Sequence, residues 1–597
     1  MRISKKNIAL VMAFLIAFQF SISVNAEELV NEMSLGYEED TEERIETDFQ
    51  YEGVSLAQKY DPRETGIFTD INNQGSMGIC WMYGMTATEE QNLVKNYGRK
   101  INISEMHGVV ALSDSVKKTR LTNSDTGYYT SGPIRGGNKS MALQYVTNWN
   151  SPIFDDDTYN WFANVKENDY PKSIFLNNPF AVIHNTINIS QNEAQFTESE
   201  SLIRVTDAKY IAKNKDSIKY AIHNFGAVQI DFYIDSSLLK TDENGDQAYY
   251  SPLALANHAV TIVGWDDNYP VNNFTAGTRP QNNGAWLVKN SWGSNSEKTG
   301  YLWVSYETSS ISNPLAITGV KRGSNQDVEY MLSYDYLPIK SGKHTSSTVY
   351  LTNIYDLSNH FDDYNEINQI MFYYKVSGEC SYNIRVIPFD NCLPQQINQY
   401  SVLATGQLSG EGYLTKQLTT PYSLNEEYEN VAIVLEMVPT SNSTVIYLPT
   451  ESHTNGYYRI NANESFYCID SSGNSSLIWT DNANDSSFTN NTGGNYCIRP
   501  ILHNSLSNEH YANVSPAQAT NSGTDICIGI DSDSTLFSIR DSTNRVLCEG
   551  VDYYIGNQCV IITSSYVDAV KNRNTTLYLD FNNEVSSSFL ILKRPNN

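Results

Sequence analysis

One cysteine, Cys80, stands in the first 379 residues of this 597-residue chain, inside the stretch QGSMGICWMYG. The other seven, Cys380, Cys392, Cys468, Cys497, Cys527, Cys548 and Cys559, all lie far behind it. The segment CWMYGMTATEEQNLVKNYG holds good helix formers, no proline, and Gly98 as a stop, which predicts a helix with Cys80 in its first turn. Unpaired N–H groups and the positive end of the helix dipole gather at that end, and both favour a thiolate. Gly75 and Gly78 let the chain approach closely just ahead of it. A cysteine without context reads as a small buried hydrophobe. The rest of the sequence supplies a context.

A nucleophilic thiol needs an imidazole as proton partner and a third group to orient that imidazole. ALANHAVTIVGWDDNY puts His258 at the mouth of an apolar run, Ala259 to Val263, that reads as a buried strand. GAWLVKNSWG gives a second strand, Ala285 to Val288, ending at Asn290. An amide at that place accepts the imidazole N–H and fixes its tautomer, and the ring of Trp292 keeps water off the bond. Gln74, six residues ahead of the thiol, offers a side-chain NH₂ that with the Cys80 backbone N–H would form an oxyanion hole.

QGSMGICW, NHAVTIVGWDD and WLVKNSWG…GYLWVSYE, in this order, resemble the papain-type cysteine peptidases over roughly residues 60–311. INISEMHGVVAL resembles the family's second helix, IRGGNKSMALQYVTNW its Gly-Gly strip beside the cleft, and KDSIKYAIHNFGAVQIDFYI the helix and strand that open its β-barrel half. The resemblance implies an α+β papain-like fold and peptide-bond hydrolysis with Cys80, His258, Asn290 and Gln74 as catalytic residues. It implies substrate binding at Gly136, Gly137, Asn257 and Trp292, the two glycines pairing with the substrate backbone like an added strand. It implies no cofactor and no metal. The family's usual C-G-S-C-W is changed here, with Met77 and Ile79 at the first Cys and Ser positions, and the partner cysteine falls near Ala111, so that disulfide is missing at both ends. Residues 266–284 form a long insertion expected to line or cap the primed side, and no long helical propeptide precedes the domain.

The N-terminus carries Arg2, Lys5 and Lys6, an apolar run from Ile8 to Ile22, and the small-x-small site Val24-Asn25-Ala26, the pattern of a secretory signal peptide over 1–26. Its removal takes three positive charges from a chain of formal charge −27, giving −30. Such an acidic protein repels nucleic acid and anionic lipid, and no other apolar run reads as a membrane span. Residues 27–59 read as an acidic spacer or short propeptide. Residues 27–50 hold ten acids and one Arg, a composition expected to be disordered. TDENGDQ, from 241, has its glycine out of place for a calcium loop and reads as a surface hairpin. His107 and His184 read as packed residues rather than site members.

Behind the peptidase-like region, residues 312–510 have the texture of an all-β sandwich. YDY at 334 and SFYCIDSSGNSSLIWTD…NYCIRP resemble the lectin-like β-domain of secreted bacterial proteins. Residues 514–597 resemble the immunoglobulin-like β-sandwich modules of bacterial cellulosomal and surface enzymes. These domains imply glycan or cell-wall polysaccharide as a partner beside the protein or peptide substrate, and an extracellular or surface-associated monomer. Cys468 with Cys497 is the disulfide expected there. Two other readings compete: a non-catalytic surface adhesin or carbohydrate-binding protein on a papain scaffold, against which the complete Cys/His/Asn/Gln set argues, and a transglutaminase-like acyl transferase, which Asn290 in place of Asp disfavours.

Overall fold

A computed structural model describes residues 37–49 apart from 38 and 41, 56–75, 78–109 apart from 104, 106 and 107, 136–148, 203–322 apart from 243, 328–335, 339–451, 460–470, 476–485, 494–505, 525–530, 536–556, 559–570, 572–581 and 586–591. The signal-peptide segment, Met77, Ser104, His107, Ala111 and His184 lie outside the described residues. No helix among the described residues is long and apolar enough to cross a membrane.

The first domain pairs a helical half with a sheet. Its helices are α1 (Cys80–Tyr97), α2 (Lys139–Thr147) and α3 (Lys215–Phe225). Its strands are β1 (Lys59–Tyr60), β2 (Ile203–Tyr210), β3 (Val228–Phe232), β4 (Lys240–Thr241), β5 (Gln247–Tyr249), β6 (His258–Asp266), β7 (Ala285–Lys289), β8 (Tyr301–Ser305) and β9 (Ser312–Arg322). The central ladder is antiparallel, with β6 between β3 and β7, and β8 beyond β7. β6 is buried along nearly its whole length, which explains why its sequence is a continuous apolar run. β9 begins at residue 312 and pairs with both β2 and β3, so the sheet of this domain runs past residue 311.

Helix α1 shows no one-sided apolar stripe. It is buried all round from Cys80 to Val94, polar residues included. Several of the covered polar side chains are bonded: Asn92 donates to Ile317 O, Gln91 to Ile67 O, and Glu90 pairs with Lys289 at 3.2 Å. The sheet lies on one side of this helix and α2 on another, and the third domain closes its far end. There the Glu549 N–H donates to Gly98 O and Glu549 pairs with Arg99.

The second domain is built of β10 (Glu329–Met331), β11 (Ile339–Thr345), β12 (Thr348–Asp356), β13 (Glu366–Pro388), β14 (Ala404–Ser423), β15 (Asn430–Pro439), β16 (Val445–Glu451), β17 (Ser465–Asp470), β18 (Thr480–Asp481) and β19 (Ile498–His503). The long β13 pairs with β14, β15, β16 and β19 and bends at two register shifts against β14. The core between the layers holds Leu351, Phe372, Tyr382 and Leu435. Gly412 and Tyr413 of β14 pair with Lys209 and Ala208 of β2, which joins the two domains through backbone hydrogen bonds. Cys468 and Cys497 fall in different packed clusters, the first with Tyr350 and the second with Met371 and Tyr413, and all eight cysteines are free thiols. The expected bridge between them is absent.

The third domain has two antiparallel three-stranded sheets over a shared core. One joins β20 (Ile526–Gly529), β22 (Tyr553–Gly556) and β23 (Cys559–Ile562); the other joins β21 (Leu536–Asp541), β24 (Thr575–Phe581) and β25 (Ser586–Ile591). A helix the sequence reading did not foresee, α4 (Ser564–Val570), packs Tyr566 and Val567 into that core.

The described part of the acidic N-terminal segment is not free. Residues 37–49 run as a strap over the first two domains. Arg44, 4% exposed, pairs with Asp40 and with Glu411 of β14, each at 2.6 Å. The Thr47 N–H donates to Tyr210 O, and Phe49 stacks on Tyr220 at 4.8 Å. Composition alone predicts disorder because it counts charges without their partners; here the partner lies 367 positions away.

A second buried ion pair locks the first domain to the second. Arg499 and Asp335 are fully buried, 2.5 Å apart, and the Arg499 guanidinium also donates to Thr147 O at the end of α2. Removing one member leaves the other charge in a dry interior, which costs about 3–5 kcal/mol. Arg499→Leu is therefore expected to lower the urea midpoint of the first unfolding transition; an unchanged midpoint would remove the pair from that role.

Candidate active site

Cys80 is the first residue of α1. The residue before it, Ile79, makes no side-chain cap, so the helix end presents bare N–H groups. The thiol sits among the amides of Ala259, Trp81 and Cys80 itself. Ala259 directly follows His258, so that contact brings the start of α1 to the start of β6. The helix is held in this place by polar bonds to the sheet. Gln229 of β3 donates to Trp81 O at 3.0 Å, and Thr261 of β6 donates to Gly84 O at 2.8 Å. Gly84 is needed for that approach, because a Cβ there would lie 2.9 Å from the Gln229 amide nitrogen.

His258 is fully buried. Its Nε2–H donates to Asn290 Oδ1 at 2.8 Å, and its ring stacks on Trp292 with centroids 5.3 Å apart. Asn290 also accepts the Ser291 N–H at 2.9 Å, which fixes its amide orientation. The other ring nitrogen of His258, Nδ1, is buried with no hydrogen-bond partner among the described residues.

Gln74 is held against the same strand end. Its N–H donates to Ser291 O at 2.8 Å, and its side-chain oxygen accepts from Ser291 Oγ at 2.6 Å. With the oxygen so committed, the NH₂ is the opposite end of the amide. Asn73 bridges Trp292 in antiparallel register alongside. Gly136 has φ +149°, and a Cβ on Gly137 would strike the Trp81 ring at 2.4 Å, so both positions demand glycine. The side chain of Asn257 is committed within the protein. Its amide accepts the Ile234 N–H at 2.8 Å and donates to Ile234 O at 3.0 Å, so both ends are spent on holding the turn ahead of His258.

A groove of about 560 Å³ opens beside Trp292, lined also by Asn73, Ser236, Leu239, Asn290 and Lys298. The insertion between β6 and β7 does not line it. Lys240 donates to Asn272 O and Thr275 to Leu238 O, which ties the insertion to the outside of the groove's rim, and Phe274 packs into the core with Trp303. TDENGDQ is the surface hairpin between β4 and β5.

The strap reaches this site. Tyr37 forms a parallel backbone bridge with Gly137 and packs on the cluster that contains Cys80 and Trp81.

The papain family cysteine protease family matches residues 56–318, and the lectin like domain family matches residues 331–500. The chain carries a papain-family cysteine protease domain and a lectin-like domain. Cathepsin 7 of Rattus norvegicus is 22% identical over 256 residues, 42% of this chain and 62% of the relative. Cathepsin S of Mus musculus is 26% identical over 255 residues, 42% of this chain and 59% of the relative. The chain thus spans about 60% of the length of the curated relatives it matches. The solved cysteine protease and lectin-like domains of Cwp84, a surface layer associated protein of Clostridium difficile, match with a TM-score of 0.61 at 25% identity, over 82% of this chain and 96% of that one. The clostridial cysteine protease Cwp84 after propeptide cleavage matches with a TM-score of 0.58 at 26% identity, over 75% and 99%. The two-domain order of the peptidase and lectin-like units is therefore shared with a solved protein.

Burial disfavours the charged form of both reactive groups. Burial pushes the Cys80 thiol up to about 12, against the opposing pull of the Ala259 amide, and burial pushes His258 down to about 4, against its bond to Asn290. Both groups lie out of water, and burial favours the neutral form of each. A thiol raised above its ordinary value gains its reactive form only as pH rises. Iodoacetamide labelling of Cys80 in the full chain should accordingly be slow at neutral pH and climb toward the alkaline end. Arg44→Ala, which leaves Asp40 and Glu411 without their shared cation, should loosen the strap and speed neutral labelling by about tenfold or more. Equal labelling rates in the two proteins, read by mass at Cys80, would show that the strap does not cover the thiol.

Proposed function

We propose that this protein is a secreted peptidase in which Cys80 attacks the scissile carbonyl, His258 carries the proton, Asn290 orients His258, and Gln74 with the Cys80 N–H stabilises the oxyanion. The observation that carries the reading is the His258 ring: Nε2 is tied to Asn290, and Nδ1 is buried without a partner among the described residues. Once water enters, the thiol proton passes to Nδ1 and the thiolate gains the helix end and the Ala259 amide as partners. The thiolate adds to the carbonyl, the imidazolium protonates the leaving amine, and neutral His258 then activates the water that releases the acyl group. Gly137 offers the backbone edge for the substrate strand, and Trp292 lines the groove beyond the histidine.

The strap over 37–49 supports reading residues 27–59 as a short propeptide, since Tyr37 occupies the Gly137 edge that a substrate would use. The lectin-like domain is read as a glycan or wall-polysaccharide contact, and residues 514–597 as an immunoglobulin-like spacer. Extracellular or surface placement rests on the N-terminal sequence pattern and on the likeness to a surface layer associated protein. The adhesin alternative would leave the ordered Gln74–Ser291 and His258–Asn290 bonds without a task.

Cys80→Ala and His258→Ala should each abolish peptide cleavage with the fold retained, a loss of several orders of magnitude in kcat. Asn290→Ala should be milder because it orients and does not react. Gln74→Ala should cost about 10²–10³ in kcat, the size of one oxyanion donor. A tenth of the activity surviving in Cys80→Ala would overturn the assignment.

A further inference from the structure

Two cysteines of the third domain sit in strands whose side chains alternate. DICIGI and CVII each send every second residue inward, so Ile526, Ile528, Val560 and Ile562 enter the shared core. Cys527 and Cys559 take the other phase. They lie on the outer face of the same sheet, the first exposed and the second half-buried.

β23 is the central strand of that sheet and β20 is an edge. In their antiparallel register Cys527 stands opposite Ile561, and Gly529 stands opposite Cys559. The two cysteines are therefore diagonal neighbours on one face. Cys559 is flanked by Gly529 on β20 and by Gly556 on β22, so no side chain stands directly across from its sulfur on either strand. The neighbouring Cys559 thiol, ahead of burial, raises the Cys527 pKa. β20 has four residues and pairs with β23 alone among the described strands, so it can draw in to the Cα separation of about 4.4–6.8 Å that a disulfide needs. The remaining cysteines lack this access. Cys80, Cys380, Cys468, Cys497 and Cys548 are buried, and the exposed Cys392 belongs to the second domain.

We propose that Cys527 and Cys559 form a modification site, which a low-molecular-weight disulfide such as oxidised glutathione converts to an intramolecular disulfide that staples β20 to β23. The inference does not depend on the peptidase reading. The Cys527 thiolate, the more exposed of the two, attacks a sulfur of the oxidant and breaks its S–S bond. That releases one thiol and leaves a mixed disulfide on Cys527. The Cys559 thiolate then attacks the Cys527 sulfur and expels the second thiol. Two cysteine thiols are oxidised, one disulfide is reduced to two thiols, and the two protons end on the released thiols. The closed loop runs from 527 to 559 and contains Leu547 to Glu549, the stretch that seats on Gly98 at the end of α1.

The test equilibrates the full chain with oxidised and reduced glutathione, quenches in acid, then unfolds and alkylates it. Cutting after Arg and Glu puts Cys548 and Cys559 on different peptides, because Glu549 lies between them. A partner thiol held at an effective concentration of about 1 mM or more, against about 0.1 mM glutathione, predicts the Cys527–Cys559 linked peptide over the Cys527 glutathione adduct by about tenfold or more. In Cys559→Ser the adduct should take the place of the link. The urea midpoint of the third domain, read by alkylation of the buried Cys548, should rise on oxidation of the unsubstituted chain and stay fixed in Cys559→Ser. Separate glutathione adducts on Cys527 and Cys559, a link from either to Cys392 or Cys548, or no oxidation of the pair would overturn the site. A linked pair with no rise in the midpoint would overturn the staple.

Discussion

The contact on which the site depends is the seating of α1 against β3 and β6. A helix that starts with a reactive thiol is useful only if its first turn is held at a fixed distance from the strand that starts with the histidine. Gln229 to Trp81 O and Thr261 to Gly84 O hold it there, and Gly84 removes the Cβ that would push the helix away. Both bonds are buried, and breaking either would strand a polar group in a dry interface. From this seating follow the placement of Cys80 beside the residue after His258 and the alignment of Asn290, which leaves β7 one residue after its last strand position.

The proposed catalytic set was legible because its chemistry needs particular residue types at the ends of regular elements. Cys80 at a helix start, His258 at a strand start and Asn290 at a strand end all appear as breaks in hydrophobic patterns. Gln229 and Asp231 were also written there, as polar letters inside AVQIDFYI, but a polar residue in a strand gives no clue to which helix will cover it. The strap was misread for a related reason. Its acids look unsolved until Arg44 meets Glu411, a contact between positions far apart that no local window contains. The bridge expected between Cys468 and Cys497 failed because neighbouring cysteines in sequence order need not share a cluster. Helix α4 was missed because SSYVDAV is as compatible with a strand as with two helical turns.

The domains are not beads on a string. β2 passes its hydrogen bonds to β14, Arg499 of the second domain reaches the end of α2, and Glu549 of the third domain meets the end of α1. The strap adds a fourth link, through Arg44, between the glycine edge of the cleft and the lectin-like domain. Events at the cleft and at the β-domain are thereby placed in mechanical contact. The strap is held at two further points, Thr47 on Tyr210 O and Phe49 on Tyr220.

The central claim is that the Cys80 sulfur becomes covalently bonded to the substrate's acyl group. Quenching the full-chain protein in acid during turnover of an activated peptide ester, followed by digestion and mass measurement, reads that bond directly. The account predicts the acyl mass on the peptide that contains Cys80, and its loss in Cys80→Ser under the same quench. An acyl mass on any other cysteine, or turnover with no covalent adduct at all, would contradict it.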